Sequence, residues 1–225
     1  GGVAAWGTVL TGIVEIMITF LPGGDAPHGT IIDWFTLFQE DLFMGLRNLG
    51  LLNLFFNAFA ILIYMALYAV HRHHREQPFA MLAAIISFLG IGVFFATNRA
   101  FPMLALSQQY AAASTEAQRV VLEAGGQAML AVGSSHTPGT FLAFFLIDSA
   151  GILISVVMLR SMIFGRAAAY VGILGFGILL VVEFLASFVA GVQDVTILLF
   201  MFGGILSMVW NILIARGLVQ FGKVL

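Results

Sequence analysis

The chain has 225 residues, 61% of them hydrophobic and 9% charged, with a formal net charge of −2 and no cysteine. A soluble domain carries roughly 25% charged residues, so a chain with a mean hydropathy of +1.06 cannot cover itself with polar surface in water. The same figures exclude disulfides, thiolate metal centres and cysteine nucleophiles, and they leave no basic stripe that could follow a nucleic-acid backbone.

Apolar runs of about 20 residues, long enough to cross ~30 Å of hydrocarbon, recur along the chain. They predict an all-α polytopic six-helix bundle as one membrane domain over residues 1–225. A transmembrane β-barrel would instead show short alternating segments. The chain opens on Gly1-Gly2 rather than Met, which predicts that further residues precede it.

The first span is predicted over 3–21 and stops at "LPGGDAPHG". In "TIIDWFTLFQEDLF", Ile31, Trp34, Phe35, Phe38 and Leu42 recur at helical spacing behind a Thr30–Asp33 capping box. That pattern predicts an amphipathic helix lying on the outer membrane surface. The second span, 44–70, ends at "HRHHREQP", and the third, 78–98, ends at "NRAFP". Segment 101–135 predicts one or two short helices, the second starting near Thr115 with Gln118 as its capping partner and broken or loosened at Gly125-Gly126. It reads as a cap over the bundle or a lid over a site. The last three spans, 140–160, 167–190 and 195–216, follow "SHTPG", "FGR" and "GVQD".

Arg72, Arg75, Arg160, Arg166, Arg216 and Lys223 fall on one side of this arrangement, and Arg47, Arg99 and Arg119 on the other. The positive-inside rule then places both termini in the cytoplasm.

Three acidic residues remain within spans: Glu15, Asp148 and Glu183. An Asp at the centre of a span costs about 2.5–3.5 kcal/mol on insertion scales, so each of these must face protein or water, or carry a proton. At ~1.5 Å per residue their positions predict one common layer under the outer surface. Arg47 and Arg99 enter from the same side, with Asn53 and Asn57 continuing below Arg47 on the second span. Small or polar stripes agree: Thr8, Gly12, Glu15 and Thr19; Asn53, Asn57, Tyr64 and Tyr68; Asp148, Gly151 and Ser155; Glu183, Ser187 and Gly191; Gly204, Ser207 and Asn211. Phe-rich faces such as Phe55-Phe56 and Phe94-Phe95 suit lipid.

Three readings of the layer stay open. The arginines neutralise the acids and fix the packing, or the layer lines a hydrated pocket for a small molecule, ion or lipid headgroup, or it begins a proton or ion pathway. Three acids against two arginines leave one acid unpaired, and that acid is expected to titrate near neutral pH.

Other motifs carry little chemistry. His71, His73 and His74 offer imidazoles for a metal, but without cysteine and with only Glu76 nearby they look like an ordinary interfacial loop. No histidine occupies the centre of a span, which argues against haem b or His-ligated chlorophyll, and no cofactor is predicted. Ser134, Ser135 and His136 are adjacent in sequence, a poor geometry for a nucleophile and its base. Asp25, His28 and His136 could converge outside. No catalytic residue and no metal ligand is predicted.

The strings "MLALSQQYAAASTEAQRVVLEAGGQAMLA" (103–131), "ISVVMLRSMIFGRAAAYVGILGFG" (154–177) and "WNILIARGLVQFGK" (210–223) resemble a family of bacterial and archaeal multi-pass membrane proteins catalogued only as a domain of unknown function. The resemblance covers about the last 125 residues by wording and the first 100 mainly by hydropathy. It implies a prokaryotic inner-membrane helical bundle and carries over no activity, cofactor or binding residue. Its members often have a basic residue where Gly217 stands, and Arg99 is not counted in the shared pattern.

The scarcity of reactive groups predicts a non-catalytic scaffold or accessory subunit in the bacterial inner membrane. Its partners would be lipids and other membrane subunits, without nucleic acid. The alternatives are a binder or transporter using Glu15, Arg47, Asn53, Asn57, Arg99, Asp148 and Glu183, and an enzyme acting at the outer face through His28 or His136.

Overall fold

The computed structural model describes residues 1–19, 29–132 and 136–222, which form helices and no strand. The helices are α1 (Gly2–Thr19), α2 (Ile31–Glu40), α3 (Leu42–Asn48), α4 (Leu51–His71), α5 (Gln77–Thr97), α6 (Ala100–Ala112), α7 (Glu116–Val132), α8 (Phe141–Ser161), α9 (Arg166–Phe188) and α10 (Gln193–Phe221). Six stretches are long and apolar enough to cross a membrane: α1, α4, α5 running on through α6, α8, α9 and α10. The chain is an all-α polytopic bundle.

Packing follows the order α1, α4, α5, α8, α9, α10 and back to α1, so the six long helices close a ring. Small residues let them approach. Ala80, Ala83 and Ala84 of α5 are buried in one core with Ala150 and Ile154 of α8, while Gly90 of α5 lies against Leu146 and Ile147. That core also takes in Ile63, Tyr64 and Leu67 of α4, Phe176 of α9, and Trp210 and Ile214 of α10. It fills the half of the ring toward the end where α4 stops at His71 and α8 at Ser161. Among the described residues this end carries no further helices, and it is called the open face.

The opposite end is covered by α2, α3, α6 and α7, which bury a second, smaller core of Ile31, Trp34, Phe35, Phe38, Leu49, Ala100 and Met103. The Thr30–Asp33 capping box is formed, with the Thr30 N–H donating to Asp33 at 2.5 Å. Thr115 and Gln118 cap α7 as expected, the Gln118 N–H donating to Thr115 at 3.3 Å and the Thr115 N–H to Gln118 at 3.3 Å.

The structure corrects several details. The apolar face of α2 packs against α6 and α7 instead of lipid, because those helices offer it Met103, Leu106 and Met129. The predicted second span from 44 divides at Gly50, whose φ of +96° turns the chain between α3 and α4, so Arg47 belongs to the cap. Gly125-Gly126 does not break α7. A Cβ at Gly126 would come within 2.6 Å of Ile31 and 2.8 Å of Phe35, so this glycine is a contact surface for α2. Phe94 is buried against Phe144 instead of facing lipid. In α10 the small residue that meets a neighbour is Gly203, against Leu179, while Gly204 faces open space. The last helix runs five residues beyond the expected 216, to Phe221.

Candidate functional site

The seven residues expected to share one layer fall into four separate arrangements. Arg47, at the end of α3, donates to Glu15 of α1 at 2.8 Å and also meets Thr19 and the Asn48 side chain. Because α1 packs between α4 and α10, this pair sits across the ring from the α8–α9 contact. The Glu15 side chain is 37% exposed, although its Oε2 is buried without a hydrogen-bond partner and Arg47 is itself buried. Asn57 is buried, and its amide donates to the backbone carbonyl of Asn53 one turn earlier at 2.8 Å, so this side chain is engaged with its own helix.

Arg99 pairs with no acid among the described residues. It ends the α5–α6 turn, and its guanidinium donates to the Leu130 carbonyl at 2.8 Å, tying α7 to the ring. The expected count of three acids on two arginines therefore becomes one acid–arginine pair and two acids without an arginine.

Those two acids form the candidate site. Asp148 lies about two turns inside α8 and is 5% exposed; Glu183 lies about a turn and a half inside α9 and is fully buried. They lie on α8 and α9, which pack directly against each other, and Tyr64 of α4 is buried in the same ring. Asp148, Gly151 and Ser155 are all buried, as the predicted stripe requires. Ser187 is buried with Glu183, whereas Gly191 lies in the exposed turn after α9 with a φ of +78°.

Glu183 Oε1 is held by His136 Nδ1. The imidazole comes from the segment between α7 and α8 and is clamped between rings, with centroids 4.6 Å from Phe144 and 4.7 Å from Phe200. Its side chain keeps 25% exposure, so it is the point where this carboxylate approaches solvent. Glu183 Oε2 and Ser187 Oγ are buried without a hydrogen-bond partner. Deeper in the ring, Ser87 Oγ, Trp210 Nε1 and Asn211 Oδ1 share that condition.

His136 was legible as an outer residue but not as the partner of Glu183. The only sequence hint is its place two residues before Pro138-Gly139, at the entrance to the helix that carries Asp148. Of the residues expected to converge with it, Asp25 and His28 lie outside the described residues, as do Ser134, Ser135 and Lys223. The other histidine group does not assemble. His71 is buried, using Leu67 and Ser161, while His73 and His74 are exposed, and no group of three His, Asp or Glu able to hold a metal occurs among the described residues.

No protein-family model matches the chain, and neither does any curated protein or solved structure. The chemistry of the site rests on its own geometry.

Proposed function

We propose that this membrane protein binds an exchangeable proton between Asp148 and Glu183, and that the proton enters and leaves at the capped face past His136. One observation carries the reading: Glu183 is fully buried, its Oε1 is met by an imidazole, and its Oε2 meets no donor, while a second buried carboxylate, Asp148, lies on the helix packed against α9. Even with His136 as an imidazolium, two ionised carboxylates leave one uncompensated negative charge in a low-dielectric interior. A proton shared by the pair removes it.

A metal cation fits less well. Alkali ions in membrane proteins are commonly held by backbone carbonyls freed where helices unwind. Here α8 and α9 are continuous through Asp148 and Glu183, so those carbonyls are engaged in helical hydrogen bonds. A scaffold needs no such pair, because neutral side chains of similar volume would pack the α8–α9 contact without the cost of burying charge. An enzyme would need His136 beside a nucleophile, whereas its described partners are Glu183, Phe144 and Phe200.

We place the protein in the bacterial cytoplasmic membrane with both termini in the cytoplasm. Supporting this, Gly1 lies against Ala66 and Leu218 at the open face, the face of Arg72, Arg75, Arg160, Arg166 and Arg216. The capped face is then extracytoplasmic.

Proton binding is tested by back-titrating the purified protein across neutral pH beside Asp148→Asn and Glu183→Gln. The wild-type chain should take up roughly one proton that both variants lack, as a coupled pair requires. Exchanging sodium for potassium should leave the curve unchanged. Superimposable curves for the three proteins would overturn the proposal, and sodium-dependent proton release would reassign the site to a metal cation.

A further inference from the structure

The two nitrogens of the His136 imidazole have unequal roles. Nδ1 is committed to Glu183 Oε1, which leaves Nε2 to meet a proton from outside, and the side chain keeps 25% exposure. A proton that binds Nε2 lets the Nδ1 proton pass to Oε1, and the reverse transfer releases it. The relay works only while the ring keeps its plane. A half-turn about the Cβ–Cγ bond would set Cδ2 against Oε1 and leave this buried carboxylate with no donor, because Oε2 has none already.

The backbone does not favour this placement. His136 sits in the left-handed region at φ +61°, which is uncommon for a residue with a side chain, so its surroundings must hold it there. Two rings do so. Phe144 of α8 stacks on the imidazole, with centroids 4.6 Å and planes 29° apart, and is itself braced edge-on by the buried Phe94 at 5.8 Å. Phe200 of α10 meets the imidazole at 4.7 Å and 64°. Phe200 is 43% exposed, so burial of its own surface explains little of its position. Aromatic faces also favour the imidazolium that forms in mid-transfer.

We propose that Phe144 and Phe200 are positioning residues for proton exchange: they fix the plane of His136, so that Nδ1 stays on Glu183 and Nε2 is left for the proton arriving at the capped face. Neither ring touches the proton. The inference rests on the proton-binding reading above, but the orientation of His136 can be measured without it.

Phe200 is the residue to change, since variants of Phe144 would also disturb its packing against Phe94. The test uses the full chain in lipid nanodiscs, with nitrogen-15 in its histidines for NMR and a stopped-flow pH jump for the rate of proton uptake. Phe200→Leu should lose the Nδ1–H resonance that Glu183 protects from exchange with water. It should also take up protons on the order of a hundredfold more slowly, the penalty for misplacing a transferring group by about 1 Å. The number of protons bound and the thermal midpoint should stay those of wild type. Phe200→Tyr keeps the ring and should restore both the resonance and the rate. A retained resonance or a wild-type rate in Phe200→Leu would overturn the proposal, as would a Phe200→Tyr variant equally impaired. Slow uptake accompanied by fewer bound protons or a lowered midpoint would make Phe200 a packing residue and likewise overturn it. If the wild-type chain takes up no proton, the proton-binding reading fails, and the NMR comparison decides the clamp alone.

Discussion

The two halves of the ring are built from the same six helices but solve different problems. Toward the open face, Ala80, Ala83, Ala150, Ile154, Ala169 and Ile214 make a continuous apolar core, and the one buried imidazole, His71, is satisfied at both nitrogens by Leu67 and Ser161. Toward the cap, Asp148 and Glu183 are buried, and among the described residues the side chain that meets Glu183 is the His136 imidazole. The first arrangement is almost all apolar packing, although Trp210 Nε1 is buried in it without a hydrogen-bond partner among the described residues. The second carries an electrostatic cost that packing does not offset.

Substitutions that separate the halves sharpen this contrast. The largest effect is expected at Gly172, where a Cβ would collide with Ser155 Oγ and lie within 2.5 Å of Trp210. Gly172→Val should cost upward of about 4 kcal/mol through overpacking and abolish monodisperse protein in detergent, whereas Gly204→Ala, facing open space, should behave as wild type. Comparable elution profiles for the two variants would mean that the open-face half is looser than described.

Next comes the cap. Phe35 is fully buried in the small core, and Phe35→Ala should cost about 3 kcal/mol, felt there first. Limited proteolysis should then cut between α2 and α7 while the six-helix ring stays intact. Simultaneous loss of cap and ring would show one cooperative unit in place of two.

A smaller effect of opposite sign is expected at Met162. It ends α8 in the left-handed region, at φ +55°, where a side chain costs roughly 1–2 kcal/mol. Met162→Gly should raise the thermal midpoint in detergent slightly, since glycine's greater entropy loss offsets part of the relief. A lowered midpoint would mean that its half-exposed side chain contributes packing.

How much of this was legible follows physical lines. Spans, the Thr30 cap and the burial of Asp148 and Glu183 could be read because hydropathy, capping chemistry and the penalty on charge facing lipid are local properties. Arg47 was misplaced because a left-handed turn at Gly50 inside "NLGLLN" leaves the hydropathy unbroken. Arg99 was misassigned because its partner is a backbone carbonyl 31 residues away, an interaction that has no residue-type signature. Gly125-Gly126 looked like a break because the sequence does not reveal that Ile31 and Phe35 press on that face. The His136–Glu183 contact spans 47 residues and depends on how the ring closes.

The central claim is that Asp148 and Glu183 act as one protonation unit. Infrared difference titration of the carboxyl region, with the protein in a lipid bilayer, tests it most directly. In the account given, Asp148→Asn moves the titration of the carboxyl that remains, Glu183→Gln does the same for Asp148, and His136→Ala perturbs both. Two carboxyl signals that titrate independently, each unmoved by loss of the other, would contradict it.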